Sequence, residues 1–145
     1  MVREYHIPVL LQPCIDALQI KDGGIWADMT FGGGGHTRAI LQALKGKGHL
    51  YSFDQDSDAL LNKPADPNFT LVYSNFRFLR NWMRYYEVEQ LDGILADLGV
   101  SSHHFDEASR GFSFREDGPL DMRMNDEDQL RAWDVVNTWD EEHIK

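Results

Sequence analysis

The chain has 145 residues, one domain's worth of polypeptide and enough to bury a single hydrophobic core. Its single cysteine, Cys14, excludes a disulfide within the chain and leaves no cysteine cluster for zinc. No apolar run approaches the ~20 residues of a membrane span, and the N-terminal apolar stretch is too short for a signal peptide. We therefore expect a cytoplasmic protein.

The formal net charge of −10 is unevenly distributed along the chain. Residues 1–90 carry 9 Lys and Arg against 10 Asp and Glu, a net charge of −1, whereas residues 91–145 carry 5 against 14, a net charge of −9. A surface that binds RNA normally has the opposite sign. Composition by itself therefore argues against a nucleic-acid surface in the C-terminal part.

The apolar pattern predicts helices and strands in alternation. Residues 6–20 predict a short arm and then a helix with Pro13 in its first turn, and Asp22-Gly23-Gly24 predicts a turn. Strands that alternate with helices form parallel βαβ units, so we predict an α/β fold whose parallel sheet has about four strands. The predicted strands cover 25–30, 49–53, 69–73 and 91–96, and the predicted helices between them cover 37–44, 56–61 and 76–86.

Two further helices are predicted near the end of the chain. Asn125 or Asp128 is expected to cap a helix that carries Leu130, Trp133 and Val136. The segment Thr138-Trp139-Asp140-Glu141 has the pattern of a capping box, which marks the start of another helix. We expect that last helix to be begun and not completed.

A glycine-rich loop follows the first predicted strand. Asp28-Met29-Thr30-Phe31 leads into Gly32–Gly35 and His36, so a strand, a loop and a helix start succeed one another. Glycines let the backbone approach a ligand closely, and a helix N-terminus offers free N–H groups to an anion. The spacing fits neither G-x-x-x-x-G-K-[ST] nor G-x-G-x-x-G, which disfavours a nucleotide-phosphate site. A small-ligand site is predicted; a turn that merely joins two elements is the alternative.

Asp54 ends the second predicted strand, 20 residues beyond Gly34. A carboxylate at this place can accept two hydrogen bonds from a ribose diol, as in dinucleotide-binding folds. An exposed turn acid is the alternative, because Asp56 and Asp58 lie beside it. The loop and the acid together suit S-adenosylmethionine as well as NAD.

The 29 residues from Asp97 to Asn125 have neither helical nor strand periodicity. They follow the fourth predicted strand, and a long irregular segment past the carboxyl end of a strand is where α/β enzymes place their chemistry. Apolar side chains are expected to anchor the segment; they are Phe105, Phe112, Phe114, Leu120, Met122 and Met124.

Three stretches of this segment, DLGVSS, RGFSF and DGPLDMRM, resemble the MraW family of S-adenosylmethionine-dependent methyltransferases, which modify the N4 of a cytosine in small-subunit ribosomal RNA. The resemblance implies a Rossmann-like fold of strand order 3-2-1-4, S-adenosylmethionine as cofactor, and small-subunit ribosomal RNA or the assembled subunit as partner. Given the acidic charge, either the basic surface lies on other sequence or the RNA is met in a pre-assembled particle.

Members of this family are about twice as long, so the resemblance covers only the N-terminal half of their pattern. It implies that residues 1–125 form the N-terminal part of a methyltransferase domain and that 126–145 begin an inserted helical domain. We therefore expect a fragment in which strand four is left uncovered. An uncovered strand favours a homodimer or low stability.

The resemblance also implies the site residues. The loop backbone would face the methionine carboxylate, Asp54 the ribose and Phe76 the adenine, although Phe76 could equally be a core residue. The chain has His103-His104 where the family has Pro-Gln, and a histidine can still donate a hydrogen bond. The alternative is that the two histidines bind a metal ion. Because they are adjacent and have no further ligand, no metal is expected. The implied cofactor contacts are Gly34, Gly35, His36, Asp54, Phe76, Asp97 and His104.

Asp97 is the candidate catalytic carboxylate. The exocyclic N4 of cytosine is a poor nucleophile because its lone pair is delocalised into the ring. A carboxylate that accepts a hydrogen bond from N4–H would localise that pair, and in-line placement of donor and acceptor would supply most of the remaining rate. The alternative is a carboxylate that caps the following loop.

Other side chains of the segment have two interpretations each. Arg110, Arg115 and Arg123 are spaced for phosphate contacts or for internal salt bridges with nearby acids. Phe112 and Phe114 suit either stacking on an extruded base or burial as anchors. Two alternative functions also remain open: a catalytically inactive cofactor-binding fragment, and an NAD-binding Rossmann protein.

Overall fold

The computed structural model describes residues 8–144, apart from the side chain of Ser102. The chain divides after Leu98 into two compact units. In the described part of the chain, no helix is both long enough and apolar enough to span a membrane. The strands are β1 (Ile25–Asp28), β2 (His49–Asp54), β3 (Phe69–Tyr73) and β4 (Gly93–Leu95). The helices are α1 (Leu11–Leu18), α2 (Gly35–Leu44), α3 (Leu79–Tyr85), α4 (Ser102–Asp106), α5 (Ala132–Thr138) and α6 (Glu141–Ile144). In addition, 3-10 helices cover Ser57–Asn62, Phe76–Phe78 and Ala108–Arg110.

The first unit is built on one sheet with strand order β3-β2-β1-β4. Trp26 pairs with Leu50 on one side and with Gly93 on the other, and Leu50 also pairs with Phe69. All three strand pairs are parallel, so the carboxyl ends of the four strands lie along the same edge. The predicted α/β fold and its strand order are confirmed.

Both faces of this sheet are covered, because successive side chains of a strand point to opposite faces. On one face Trp26 and Leu50 pack with Ile40 of α2. On the other face Phe53 packs with Met83 of α3. Ile40, Leu50 and Phe53 have no exposed surface, and burial of each stabilises the fold by roughly 1.5–3 kcal/mol. The sheet is therefore a double-sided core, as is usual for parallel sheets.

The ends of the predicted elements differ from the observed ones. β1 ends at Asp28 rather than at Thr30, because the Thr30 N–H donates to the Asp28 side chain (3.1 Å) instead of joining the ladder. The helix predicted over 56–61 is a 3-10 helix, which Asp56 caps by accepting the Asp58 N–H (3.0 Å). The segment predicted over 76–86 begins as a 3-10 helix and continues as α3. Part of the predicted N-terminal arm, residues 6 and 7, lies outside the described residues.

The second unit contains α4, α5, α6 and one 3-10 helix. The cap predicted for α5 is wrong. This helix begins at Ala132, and the carboxylate of Asp134 in its first turn accepts the N–H of Arg131 (2.9 Å). Asn125 caps no helix; it accepts the Glu127 N–H (3.0 Å) within a turn.

The last predicted helix is present as α6, but its cap is not Thr138. Asp140 accepts the N–H of His143 (3.0 Å), whereas the Thr138 hydroxyl donates to the carbonyl of Asp134 (2.6 Å) as part of α5. Whether residues from 126 onwards begin an inserted domain stays a prediction.

Candidate functional site

The carboxyl edge of the sheet collects the loops that carry most of the predicted site residues. The glycine loop follows β1, Asp54 ends β2, Phe76 follows β3 and Asp97 follows β4. In open α/β sheets, ligands bind at this edge because the loops that leave it converge there. Along this edge Asp54 accepts the N–H of Gly32 in the glycine loop, and a carboxylate oxygen of Asp97 lies 3.9 Å from Nδ1 of His36.

The backbone of the glycine loop requires glycine at one position in particular. Gly34 has φ of +77°, and its N–H donates to the carbonyl of Phe31 (2.7 Å). A Cβ at this residue would lie 2.7 Å from Nη1 of Arg38 and 3.1 Å from the Phe31 ring. Arg38 is itself held by the carbonyls of Gly33 (2.7 Å) and Asn62 (2.9 Å). The side chains of Arg38 and Phe31 therefore pack against the loop at Gly34, and α2 begins directly after it.

Asp54 fastens the glycine loop to the end of β2. One carboxylate oxygen accepts the N–H of Gly32 (2.7 Å), and the other accepts the N–H of Asp56 (2.9 Å). Burial raises the pKa of Asp54 above its usual range, and these two N–H groups oppose the rise. A carboxylate has about four acceptor sites, so the side chain can serve a ligand hydroxyl as well as the loop.

A buried polar network lies beneath the loop, and sequence reasoning did not find it. Asp28 is fully buried and accepts the hydroxyl of Thr37 (2.8 Å) and the N–H of Thr30 (3.1 Å). Because Thr37 gives its one proton to Asp28, the hydroxyl of Ser52 must donate to Thr37 (2.7 Å). Burial raises the pKa of Asp28 strongly enough to outweigh these donors. The only sequence signal was polar residues at strand positions where apolar ones are expected.

Asp97 is the exposed carboxylate of the edge. Its side chain is 62% exposed, and one of its oxygens lies 3.9 Å from Nδ1 of His36, which is 5% exposed. That distance is too long for a hydrogen bond. The other ring nitrogen of His36, Nε2, is buried and has no hydrogen-bond partner among the described residues. Such an atom usually has a partner, and a bound ligand or water can supply one.

Phe76 is available at the same edge rather than buried in the core. It is 40% exposed and opens the 3-10 helix that follows β3. Asn75 caps that helix, since its side-chain oxygen accepts the N–H of Arg77 (2.9 Å). The core interpretation of Phe76 is therefore wrong.

These features fit S-adenosylmethionine chemically. The exposed glycine Gly32 has open space where a Cβ would stand, so a ligand can approach the loop backbone. Asp54 can accept hydroxyl groups, Phe76 offers an aromatic face, and Nε2 of His36 lacks a partner among residues 8–144. In the same part of the chain, no group of three or more His, Cys, Asp or Glu side chains is placed to hold a metal ion.

His104 belongs to the second unit, where it has a local role. Its Nδ1 accepts the N–H of Ser101 (3.0 Å) at the start of α4, and the Phe112 ring lies edge-on to its imidazole at 5.3 Å between centroids. The side chain is 9% exposed. Its predicted contact with the cofactor stays a prediction.

The irregular segment is held by arginines rather than by the predicted apolar anchors. Arg123 pairs with Asp121 (2.8 Å) and donates to the carbonyls of Asp126 (2.8 Å) and Asp128 (2.6 Å). Arg110 donates to two further carbonyls in the same segment, at 3.1 Å each. Of the expected anchors only Phe112 and Met124 are half-buried; the exposed ones are Phe105, Phe114, Leu120 and Met122.

Arg123 forms the predicted internal salt bridge, with Asp121 (2.8 Å), whereas Arg110 donates to the backbone carbonyls of Arg123 and Met124. Arg115 makes no ion pair with any residue of the described part, and its neighbour Phe114 is fully exposed, so burial of Phe114 as an anchor is wrong.

The sheet order, the glycine loop after β1 and the acid after β2 define a Rossmann-like α/β domain with a ligand edge. Residues 3–145 match the MraW methylase family, and the chain belongs to that family. A protein of Phocaeicola vulgatus named ribosomal RNA small subunit methyltransferase H is 60% identical over 140 residues, which are 97% of this chain and 46% of that protein. The protein of the same name from Christiangramia forsetii is 53% identical over 145 residues, 100% of this chain and 48% of its own.

The chain thus spans about half the length of these curated relatives. A crystal structure of a putative methyltransferase from an antibiotic biosynthesis pathway of Anabaena variabilis aligns with 17% identity over 48% of this chain and 28% of its own. Its TM-score of 0.40 is too low to support an argument.

Proposed function

We propose that the protein acts in S-adenosylmethionine-dependent methylation of the N4 of a cytidine in small-subunit (16S) ribosomal RNA, in the cytoplasm. One observation carries the proposal: an exposed carboxylate, Asp97, stands at the sheet edge that also holds the glycine loop and Asp54, in a chain of the MraW methylase family. Family membership favours this activity over NAD chemistry, and the sequence lacks G-x-G-x-x-G.

Residues of the first unit would hold the cofactor. The backbone of Gly34 and Gly35 leads into the N-terminus of α2, which suits the methionine carboxylate. Asp54 would accept from a ribose hydroxyl, and Phe76 would offer its ring face to the adenine. When bound, S-adenosylmethionine supplies an electrophilic methyl group on a sulfonium.

Asp97 would act on the nucleophile. Its carboxylate accepts a hydrogen bond from the N4–H of cytosine, which draws the nitrogen lone pair out of the ring. The N–C bond would form as the methyl–sulfur bond of the sulfonium breaks and a neutral thioether leaves, and the same carboxylate would take the proton that N4 loses. Because Asp97 is 62% exposed, an incoming base can reach it without rearrangement of the first unit. General-base assistance of this kind typically contributes 10²–10⁴-fold to a rate.

Phe114 and Arg115 are the side chains best suited to the RNA within the second unit. Phe114 is fully exposed, and aromatic side chains that stack on bases contribute about 1–3 kcal/mol each. Arg115 has no carboxylate partner in the described part of the chain, so its charge is available to a phosphate. The proposed partner is the ribosomal RNA or the assembled small subunit. Given the charge of −9 over residues 91–145, either the basic surface lies on other sequence or the RNA is met in a pre-assembled particle.

A second candidate is cofactor binding without methyl transfer. The observation that favours it is the share of the relatives that the chain covers, 46–48%. In that case the first unit would bind S-adenosylmethionine, and transfer would depend on residues that the relatives carry in their other half.

One assay tests the proposal and separates the two candidates. The 145-residue chain is incubated with small ribosomal subunits and methyl-labelled S-adenosylmethionine, and the RNA is digested to nucleosides. Label on N4-methylcytidine that falls at least tenfold with Asp97→Asn supports the enzyme. Cofactor binding with no label supports the binding candidate, and label on another nucleoside contradicts the proposed substrate atom. Ala43→Ser, at a half-buried position near the C-terminal end of α2, serves as the control.

A further inference from the structure

The connection between β1 and β4 has an unusual last step. The N–H of Met29 donates to the carbonyl of Leu95 (2.8 Å), which is the regular parallel pattern. The next step would join the N–H of Asp97 to the carbonyl of Met29. Instead, the Asp97 N–H donates to the side-chain hydroxyl of Thr30 (2.8 Å). A side chain thus continues the ladder at the residue where the candidate carboxylate leaves the sheet.

We propose that Thr30 is a positioning residue, whose hydroxyl sets the place of Asp97 at the carboxyl edge of the sheet. The inference rests on the proposed function, because the position of Asp97 matters for methyl transfer only if Asp97 is the catalytic carboxylate. Thr30 touches neither the methyl donor nor the base in this account; it acts through the backbone of Asp97.

The hydroxyl of Thr30 is itself fixed from below. It lies 3.5 Å from the Asp28 carboxylate, which also accepts the Thr30 N–H (3.1 Å). Thr30 can therefore accept from Asp97 while its own proton points to Asp28. Asp28 is fully buried and is held on its other oxygen by Thr37 (2.8 Å). Buried polar networks of this kind rigidify a structure when every member is satisfied.

The same residue connects two loops of the edge. Thr30 directly precedes Phe31 and the glycines, while the N–H that it accepts belongs to the loop after β4. Beyond Asp97 the chain reaches Gly99, whose φ is +143°. Among the described residues, the Thr30 hydroxyl is the only hydrogen-bond acceptor of the Asp97 N–H. Loss of that hydroxyl should free Asp97 while the sheet remains paired.

The test compares three variants of the 145-residue chain. Thr30→Val removes the hydroxyl at constant shape, and Thr30→Ser keeps it. Thr70→Val is the matched control, because the Thr70 hydroxyl bonds His49 (2.8 Å) in the same sheet without reaching Asp97. If Thr30→Val does not fold, Thr30→Ala takes its place. The measurements are amide hydrogen exchange at Asp97, the dissociation constant of S-adenosylmethionine, and kcat and KM of methyl transfer.

We expect Thr30→Val to speed exchange at the Asp97 amide by about tenfold, the effect of losing one hydrogen bond. We also expect it to lower kcat more than it raises KM, with both effects restored by Thr30→Ser and absent in Thr70→Val. Unchanged exchange in Thr30→Val would overturn the inference whatever the activity. Faster exchange with unchanged kcat would also overturn it. Exchange needs no cofactor or RNA, so failure of the proposed function in the unsubstituted chain is recognised separately.

Discussion

Gly34→Ala tests how the glycine loop is built, with Gly32→Ala as its matched control. Both glycines have positive φ, +77° and +51°, in the same loop. They differ in their surroundings: a Cβ at Gly34 meets Arg38 and Phe31, whereas a Cβ at Gly32 meets nothing within 4 Å. The pair therefore separates the conformational cost of a side chain from the cost of crowding.

The magnitudes follow from these surroundings. An L-residue in the left-handed region costs about 1–2 kcal/mol, partly offset by about 0.4–1 kcal/mol from the less flexible unfolded chain. Gly32→Ala should thus lower the free energy of unfolding by roughly 1 kcal/mol. In Gly34→Ala the Arg38 guanidinium must also move and lose its bonds to two carbonyls. Because Arg38 is exposed, we expect only about 1–2 kcal/mol more.

Urea unfolding, followed by tryptophan fluorescence and far-UV circular dichroism, measures both variants. In urea, Gly34→Ala should have a free energy of unfolding about 1–2 kcal/mol below that of Gly32→Ala, with an unchanged m-value. In a thermal melt its Tm should be roughly 2–8 °C lower. In an Arg38→Ala background the difference between the two glycine variants should shrink to the part caused by the Phe31 ring. Equal free energies for the two variants in the natural background would refute the role given to crowding.

Three further predictions follow from the buried acid, the exposed loop and the sheet edge. Folding raises the pKa of Asp28 above 3.8, so the stability that Asp28 contributes is present at low pH and is lost as pH rises through the folded-state pKa. The stability of Asp28→Asn relative to the unsubstituted protein should therefore increase as pH rises above 3.8. A difference in the free energy of unfolding that stays constant in urea titrations from pH 3 to 8 would contradict this. The double variant Phe114→Ala, Arg115→Ala should raise KM for ribosomal subunits by about tenfold in a methyl-incorporation assay and leave the affinity for S-adenosylmethionine unchanged. A loss of cofactor affinity instead would contradict the role in RNA binding proposed for these two residues. We propose that the chain forms a homodimer through β4, whose Ile94 is 50% exposed. Ile94→Lys should then shift the sedimentation coefficient towards that of the monomer. An unsubstituted chain that sediments as a monomer would refute the dimer.

The fold was predictable because its signals are local and repeated. Short apolar runs, such as the one that ends before Gly32, alternate with segments whose apolar residues have helical spacing. Few parallel topologies are compatible with this pattern. The strand order came from the family resemblance. The helix caps were less predictable: Asp134 and Asp140 do the capping, while Asn125 and Thr138 have equally suitable side chains and bond elsewhere.

The site was predictable where chemistry depends on residue type at a strand end, as for Asp54 and Asp97. The Thr30–Asp28 network was not, because its partners are 67 and 9 residues apart along the chain and meet only when the sheet forms. The prediction that Phe114 is a buried anchor is wrong for a similar reason. Whether an apolar side chain is buried depends on tertiary neighbours, and here arginine bonds to backbone carbonyls hold the segment instead.

Calorimetric titration of the 145-residue chain shows whether the carboxyl edge of this sheet binds S-adenosylmethionine. We expect saturable binding of S-adenosylmethionine, strong weakening with Asp54→Ala, and no comparable binding of NAD. Circular dichroism checks that each protein is folded. A folded chain that fails to bind S-adenosylmethionine, or that binds it equally well with Asp54→Ala, would rule out the cofactor site proposed at this edge.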